Sequence, residues 1–193
     1  SNLIRTTHCV QVDDDMMFDL SDFEFLVQTA LSHNSDQLMG AYARHAEKLA
    51  NNTYFYHTST FEERSPFGDM QRPYNMMLTK LLVLPTKYLF TYTCLLPPQI
   101  HEYIDQNMNC EDIAMNVLVQ GMTGRPPVHV DMEVKDYGTD LGVQGISTRN
   151  GHLNARSICV EHLTQLMNTQ KLLQSYLSIA RYKKNRYVKA APK

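Results

Sequence analysis

Asp13, Asp14 and Asp15 stand together directly after His8-Cys9-Val10-Gln11-Val12, whose alternation of apolar and polar residues predicts a short strand. Neighbouring carboxylates repel by about 1–3 kcal/mol at an effective dielectric near ~20 unless a cation or hydrogen-bond donors relieve them. Ligands of α/β sheets gather at strand ends. Hard oxygen ligands suit Mg²⁺ or Mn²⁺, which take one or two carboxylates plus substrate phosphates. The triplet alone equally allows an acidic helix start or a solvated loop. An EF-hand is excluded, because the third alternate position is Met17.

Two further groups could do chemistry. Asn109-Cys110-Glu111-Asp112 precedes a stripe of Ile113, Ala114, Val117 and Leu118, so Asn109 can cap a helix whose first turn is acidic, as the helix dipole favours. That reading explains the acids but not the cysteine. His152-x-x-x-Arg156-Ser157-x-Cys159 closes a glycine-rich stretch and opens another helix. An arginine at a helix N-terminus opposes the dipole; a diphosphate would give it a reason to be there, and so would a neighbouring acid. The eight histidines form no H-E-x-x-H, the hydroxyls no G-x-S-x-G and the glycines no G-x-x-x-x-G-K, so the motifs of zinc proteases, serine hydrolases and P-loop kinases are missing.

The elements that must position these residues alternate between strand and helix. Ser21-Asp22-Phe23-Glu24 reads as a capping box before an apolar face of Phe25, Leu26, Thr29 and Ala30. Leu38 to Tyr42 reads as a second strand ending at Arg44-His45, and residues 50–73 as one long polar loop. Residues 76–84 form a buried strand that Pro85 stops; Tyr88, Leu89 and Tyr92 follow at helical spacing, and Pro97-Pro98 opens a helix through Ile100 and Ile104. Residues 126–130 predict a strand, 137–151 an irregular loop with four glycines, and 156–167 a last helix. The alternation predicts an α/β domain.

A net charge of -2 gives no general attraction to nucleic acid, and none is expected as a partner. Basic residues gather only near the end, from Arg181 to Lys193, as a solvated tail or a surface for an anionic partner. No apolar run is long enough to suggest a membrane span. Cys9, Cys94, Cys110 and Cys159 lie far apart without a C-x-x-C pair, which argues against zinc. Asn51-Asn52-Thr53 is a glycosylation sequon, of use only to a chain that enters the secretory pathway.

Together these groups resemble the exostosin-type retaining glycosyltransferase domain, the family of animal heparan-sulfate polymerases and related plant enzymes. The resemblance rests on Val10-x-Val12-Asp13-Asp14-Asp15, Leu38-Met39-Gly40-x-x-x-Arg44, Tyr74-x-Met76-Met77-Leu78-Thr79, Lys87-Tyr88, Asn109-Cys110-Glu111-Asp112-Ile113-Ala114-Met115-Asn116, Gly145-Ile146-Ser147 and the His152 to Cys159 group, in the family's order. It implies an α/β fold of GT-A type over residues 1–170, N-terminally incomplete because only twelve residues precede Asp13, with 171–193 as a basic C-terminal tail. It implies a UDP-sugar donor, commonly a UDP-N-acetylhexosamine, with Mn²⁺ (or Mg²⁺) as cofactor and a glycan or glycolipid as acceptor. Asp15 would hold the metal; Asp13 and Asp14 would contact the nucleotide or sugar. Asn109, Glu111, His152 and Arg44 would line the donor and acceptor pocket, with Asp112 and Arg156 catalytic. The family also pairs the cysteines corresponding to Cys110 and Cys159, and that disulfide makes the sequon more credible, since both belong to an oxidising compartment. The resemblance places the chain in the Golgi or endoplasmic reticulum lumen, anchored through a segment outside this sequence, and allows a homo-oligomer or a hetero-oligomer with another glycosyltransferase. Two readings follow: an active transferase, or a catalytically silent member that serves as a partner subunit. The lack of any Trp departs from the family's habit.

Overall fold

The computed structural model describes residues 3–32, 36–57, 73–140, 151–169 and 171–181. Five strands make the main sheet, in the order β1-β7-β3-β8-β10. β1 (His8–Val12) lies antiparallel to β7 (Leu81–Pro85), and β7 is antiparallel to β3 (Met39–Gly40). β3, β8 (Val128–Asp131) and β10 (Ser178–Ala180) run parallel. A second layer holds β4 (Ala43–Lys48) between β5 (Tyr54–His57) and β6 (Met76–Met77), all antiparallel. β2 (Met16–Phe18) and β9 (Val134–Asp136) pair separately beside the aspartates. Mixed strands with helices on them make this the expected α/β domain.

The sheet order follows burial. β7 is Leu81-Leu82-Val83-Leu84-Pro85, buried on both faces, and occupies an interior position where such a continuous apolar run belongs. Gly40 lets β3 press against it: a Cβ there would lie 2.5 Å from Leu81 O and 2.9 Å from the Leu82 Cβ. β1 is an edge strand with Val10 and Val12 about two-fifths exposed, at 39% and 41%.

Two helices build the site. α4 (Glu111–Thr123) ends on Gly124, whose positive φ of 63° closes the helix with a Gly124 N–H bond to Gln120 O. α6 (His152–Leu166) lies against α4 and β5, joined in one core through Ile113, Val117, Val160 and Leu163. α1 (Leu20–Ser32) covers the main sheet with Leu26 and Ala30. α2 (Thr86–Phe90), a π-helical turn over Thr91–Leu95, α3 (Pro98–Asn107) and the short α5 (Tyr137–Asp140) complete the chain.

Several boundaries differ from the sequence expectation. The stretch read as one strand before Arg44 splits: β3 enters the main sheet and β4 the second layer, so Arg44 sits inside a strand. Likewise residues 76–84 divide into β6 and β7, with Leu78 N–H bonded to Tyr42 O at the turn. β5 lies within the stretch read as loop, because Tyr54 and Tyr56 face the core while Phe55 faces out; residues 58–72 lie outside the described residues. α1 starts at Leu20, its Asp22 and Phe23 N–H groups bonding to Asp19 O, so Ser21 is not the cap. Of residues 171–193, positions 171–181 are described: Leu172 is buried, β10 joins β8, and Arg181 ion-pairs with the buried Asp22 at 2.7 Å.

Candidate functional site

α4 and α6 are joined where their chemistry lies. Cys110 and Cys159 form a disulfide with a Cα–Cα distance of 6.2 Å, the pairing the resemblance implies. Cys110 stands at the N-cap of α4 in the left-handed region (φ 81°) without a side-chain cap. Asn109 is therefore one residue before the cap, and its Oδ1 serves two other donors: Cys110 N–H at 2.8 Å and Arg156 Nη1 at 3.1 Å. α6 begins at His152, so Arg156 lies one turn inside the helix rather than at its end. Its reason for being there is an acid: Arg156 Nη2 donates to Asp112 Oδ2 at 2.5 Å, with both side chains under a tenth exposed.

A residue that sequence reasoning missed completes the grip on Arg156. Tyr56 on β5 accepts a hydrogen bond from Arg156 Nη2 at 3.0 Å, and its ring lies 4.5 Å beneath the guanidinium carbon. Ser157 Oγ takes the Tyr56 N–H at 3.0 Å, locking β5 to α6. The alternation Tyr54-Phe55-Tyr56 inside an otherwise polar stretch was the available signal. Burial pulls against the Arg156 charge, but Asp112 and Tyr56 outweigh it and raise its pKa, so it is always protonated. Burial, reinforced by Asp112, pushes the Tyr56 phenol up to about 12, so it stays neutral.

The other expected residues fall around this pair. His152 Nδ1 lies 3.4 Å from Asn109 Nδ2, and its pKa is lowered by burial and then by Arg156. Arg44 acts electrostatically on Tyr56 and donates from Nη1 to Ala43 O at 3.0 Å. Glu111 has its carboxyl pKa raised, by desolvation first, then by Asp112; Asp13 contributes as well. That influence of Asp13 on Glu111 brings the triplet and the Asn109–Asp112 group within electrostatic reach of each other.

At the triplet, Asp13 N–H bonds to Lys80 O at 2.9 Å, continuing the β1–β7 register. Desolvation raises the Asp13 pKa; Lys80 opposes this, and Asp15, Asp14 and Asp136 add to it. Lys80 is held by Asp136 at 2.6 Å. Asp14 is exposed. Asp15 is different: its Oδ1 is shut off from solvent with no hydrogen-bond partner among the described residues. Its backbone O accepts the Tyr137 N–H, and a Cβ on Gly138 would overlap its Oδ2. Gly138 thus leaves the space that the Asp15 carboxylate fills.

Behind the site, α4 carries a row of buried polar side chains at four-residue spacing: Asp112, Asn116 and Gln120. Asn116 Oδ1 accepts the Met77 N–H at 2.9 Å, while its Nδ2 donates to Met77 O and Asp112 O, both at 2.8 Å. Gln120 joins Asn75 O to the Leu173 N–H, and Asn75 brackets the Ala46 peptide group with bonds of 2.8 and 2.7 Å. The row ties α4 to β4, β6 and the segment before β10. Sequence reasoning placed Asn116 in its longest motif but gave it no role.

Comparison with known proteins joins these pieces. A model of the "Glycosyl transferase family 64 domain" matches residues 1–185. The chain belongs to this family. Human Exostosin-like 2 is 27% identical over 185 residues, 93% of this chain and 54% of that protein. The Arabidopsis thaliana protein Glycosylinositol phosphorylceramide mannosyl transferase 1 is 31% identical over 160 residues, 81% of this chain and 45% of that protein. Exostosin-2 of Bos taurus is 28% identical over 171 residues, 88% of this chain and 22% of its own length. The chain therefore spans about half the length, 54% and 45%, of the first two relatives. Glycosyltransferase activity is the property of the family. Among the described residues no helix is long and apolar enough to cross a membrane.

Proposed function

We propose that this chain is the sugar-transferring part of a retaining, UDP-sugar-dependent transferase of GT-A type, with N-acetylhexosamine as the first candidate sugar. The observation that carries the proposal is the buried Asp112–Arg156 pair, pinned by Tyr56 and Asn109, with the neighbouring Glu111 within electrostatic reach of Asp13. The relatives' names, an exostosin-like protein and a transferase acting on a glycosylinositol phosphorylceramide, make a glycan or a glycolipid the acceptor class. The buried disulfide supports a home in the endoplasmic reticulum or Golgi lumen.

Arg156 has the chemistry for a leaving diphosphate: permanently charged, largely desolvated, and able to exchange Asp112 for phosphate oxygens while Tyr56 and Asn109 keep its plane in place. The Asp112 carboxylate so released would face the reacting carbon, stabilising an oxocarbenium-like centre or orienting the acceptor hydroxyl that attacks from the same face. Asp13 and Asp14 would contact nucleotide or sugar, and Glu111, His152 and Arg44 would line the pocket. A divalent cation, Mn²⁺ or Mg²⁺, fits Asp15, whose buried Oδ1 has no donor among the described residues; among these residues no three acid, histidine or cysteine side chains converge as a cage, so substrate phosphates would complete its shell. When bound, the cation would neutralise charge on the diphosphate.

Binding comes first as a test. UDP with Mn²⁺ should raise the unfolding midpoint by about 5–10 °C at a hundredfold excess over Kd. Asp15→Asn should abolish the Mn²⁺-dependent part of the shift, and Asp112→Asn should end transfer while UDP still binds. An unchanged midpoint at millimolar ligand would sink the proposal and favour a silent partner subunit.

A further inference from the structure

We infer that Asn51 is an N-glycosylation site, carrying a glycan on the turn between β4 and β5. Asn51-Asn52-Thr53 is the sole N-x-Ser/Thr triplet of the sequence. It occupies the tight turn joining β4 to β5, closed by Leu49 N–H to Thr53 O and Asn52 N–H to Leu49 O, both 2.9 Å, with Asn52 at a φ of 66°. Asn51 is exposed. Its Oδ1 accepts the Thr53 hydroxyl at 2.7 Å and the Thr53 N–H at 3.2 Å, and its Nδ2, the atom to be modified, has no hydrogen-bond partner among the described residues. The threonine hydroxyl thus draws electron density toward Oδ1, which makes the Nδ2–H bonds more acidic and eases the proton loss that the modification requires.

The surroundings admit sugar. Beside the turn lies a polar cavity of about 190 Å³ bordered by Lys48, Asn52, Tyr54, Glu161, Gln165 and Asn168, which offers donors and acceptors to sugar hydroxyls. The location stands off from the site: Tyr54 lies by the Glu161–Thr164 stretch of α6, and Asn52 borders the same cavity, about 8–12 Å along the helix from Arg156 at 1.5 Å per residue. The disulfide supplies the compartment independently, since cystine persists where N-glycans are added. In the transfer, the cell's own enzyme would supply a polyprenyl-diphosphate-linked oligosaccharide. The Asn51 Nδ2–C1 bond forms, the C1–O bond to phosphate breaks, the diphosphate leaves with its lipid, and Nδ2 loses one proton.

The inference rests on the lumenal part of the proposed function, and one experiment separates the two. The whole chain is sent to the endoplasmic reticulum of cultured eukaryotic cells behind a cleavable signal and purified. Intact mass and non-reducing peptide maps then read glycan and disulfide together. The expected result is an N-glycan that peptide-N-glycosidase removes, leaving Asp at position 51, in protein with Cys110 joined to Cys159. Asn51→Gln and Thr53→Ala should lose the glycan, Thr53→Ser should keep it, and the UDP–Mn²⁺ midpoint shift should be the same with and without it. Disulfide-bonded protein bare at Asn51 overturns the site and leaves the transferase reading intact. Protein with neither mark overturns both the site and the lumenal assignment.

Discussion

Arg156 is the residue on which the site turns, and its surroundings determine what a substitution does. Asp112, Tyr56 and Asn109 all point at one guanidinium buried to within a tenth of full exposure. A buried ion pair contributes little over an apolar replacement of the pair, but removing one partner strands the other charge at a cost of about 3–5 kcal/mol. Arg156→Ala should therefore lower the urea-derived unfolding free energy by that order, besides ending transfer. Arg156→Ala/Asp112→Ala should recover much of the loss, because no stranded charge remains. Equal losses in the single and double variants would show that the pair is not electrostatically coupled in the fold. Tyr56→Phe removes a single hydrogen bond to a charged group, about 1.5–3 kcal/mol, and keeps the aromatic face.

At the scale of elements, α4 holds the second layer to the first through side chains of types usually excluded from a core. Asn116 satisfies both backbone groups of Met77, a residue in a two-residue strand with little ladder of its own. Asn116→Ala would leave a buried N–H and C=O unpaired at about 1–3 kcal/mol each, and Asn116→Leu should be no better despite its apolar bulk. A denaturation midpoint unmoved by either would refute this role. The sequence made α4 legible through its apolar stripe, and β1 and β7 through alternation and continuous burial. The chemistry of the Asn109–Asp112 group was legible as residue types. What escaped was long-range: Asn116 and Gln120 find partners 39 to 53 positions away, Tyr56 reaches Arg156 across 100, and no local period reports such pairings. The same distance explains the misplaced strand ends near Arg44 and Met77, where two residues between β3 and β4 and three between β6 and β7 carry the chain from one sheet to the other. Arg156 seemed to oppose a helix dipole because the start of α6 at His152 is hidden in a stretch rich in glycine and polar residues.

Over the whole molecule, the same design that buries charge makes stability depend on pH through groups of two kinds. His129 is 1% exposed between Ser178, 2.8 Å from Nδ1, and Ala41 O, 3.2 Å from Nε2. It joins β8 to β10 and approaches β3. Burial lowers its pKa from 6.5, against an opposing contribution from Asp131; His45 and His152 are lowered too, again by burial first. For each, the unfolded chain binds the proton more readily, so stability is full above the unfolded value and is lost as pH falls through 6.5. Asp13 and Glu111 have pKa values raised by desolvation, so the folded chain holds their protons more tightly and is penalised as pH climbs past the ordinary carboxylate range. The two effects have opposite slopes between the ordinary carboxylate range and 6.5, where three lowered histidines outnumber two raised carboxyls. The unfolding free energy should accordingly increase between about pH 5 and 7, by up to about 1.4 kcal/mol per pH unit for each proton taken up on unfolding. His129→Asn, which can still accept from Ser178 and donate to a carbonyl, should flatten that slope, whereas Asp13→Asn should raise the neutral-pH midpoint. Urea titrations at half-unit pH steps measure both, and a wild-type curve flat from pH 5 to 7 would refute the assignment of these buried histidines as neutral.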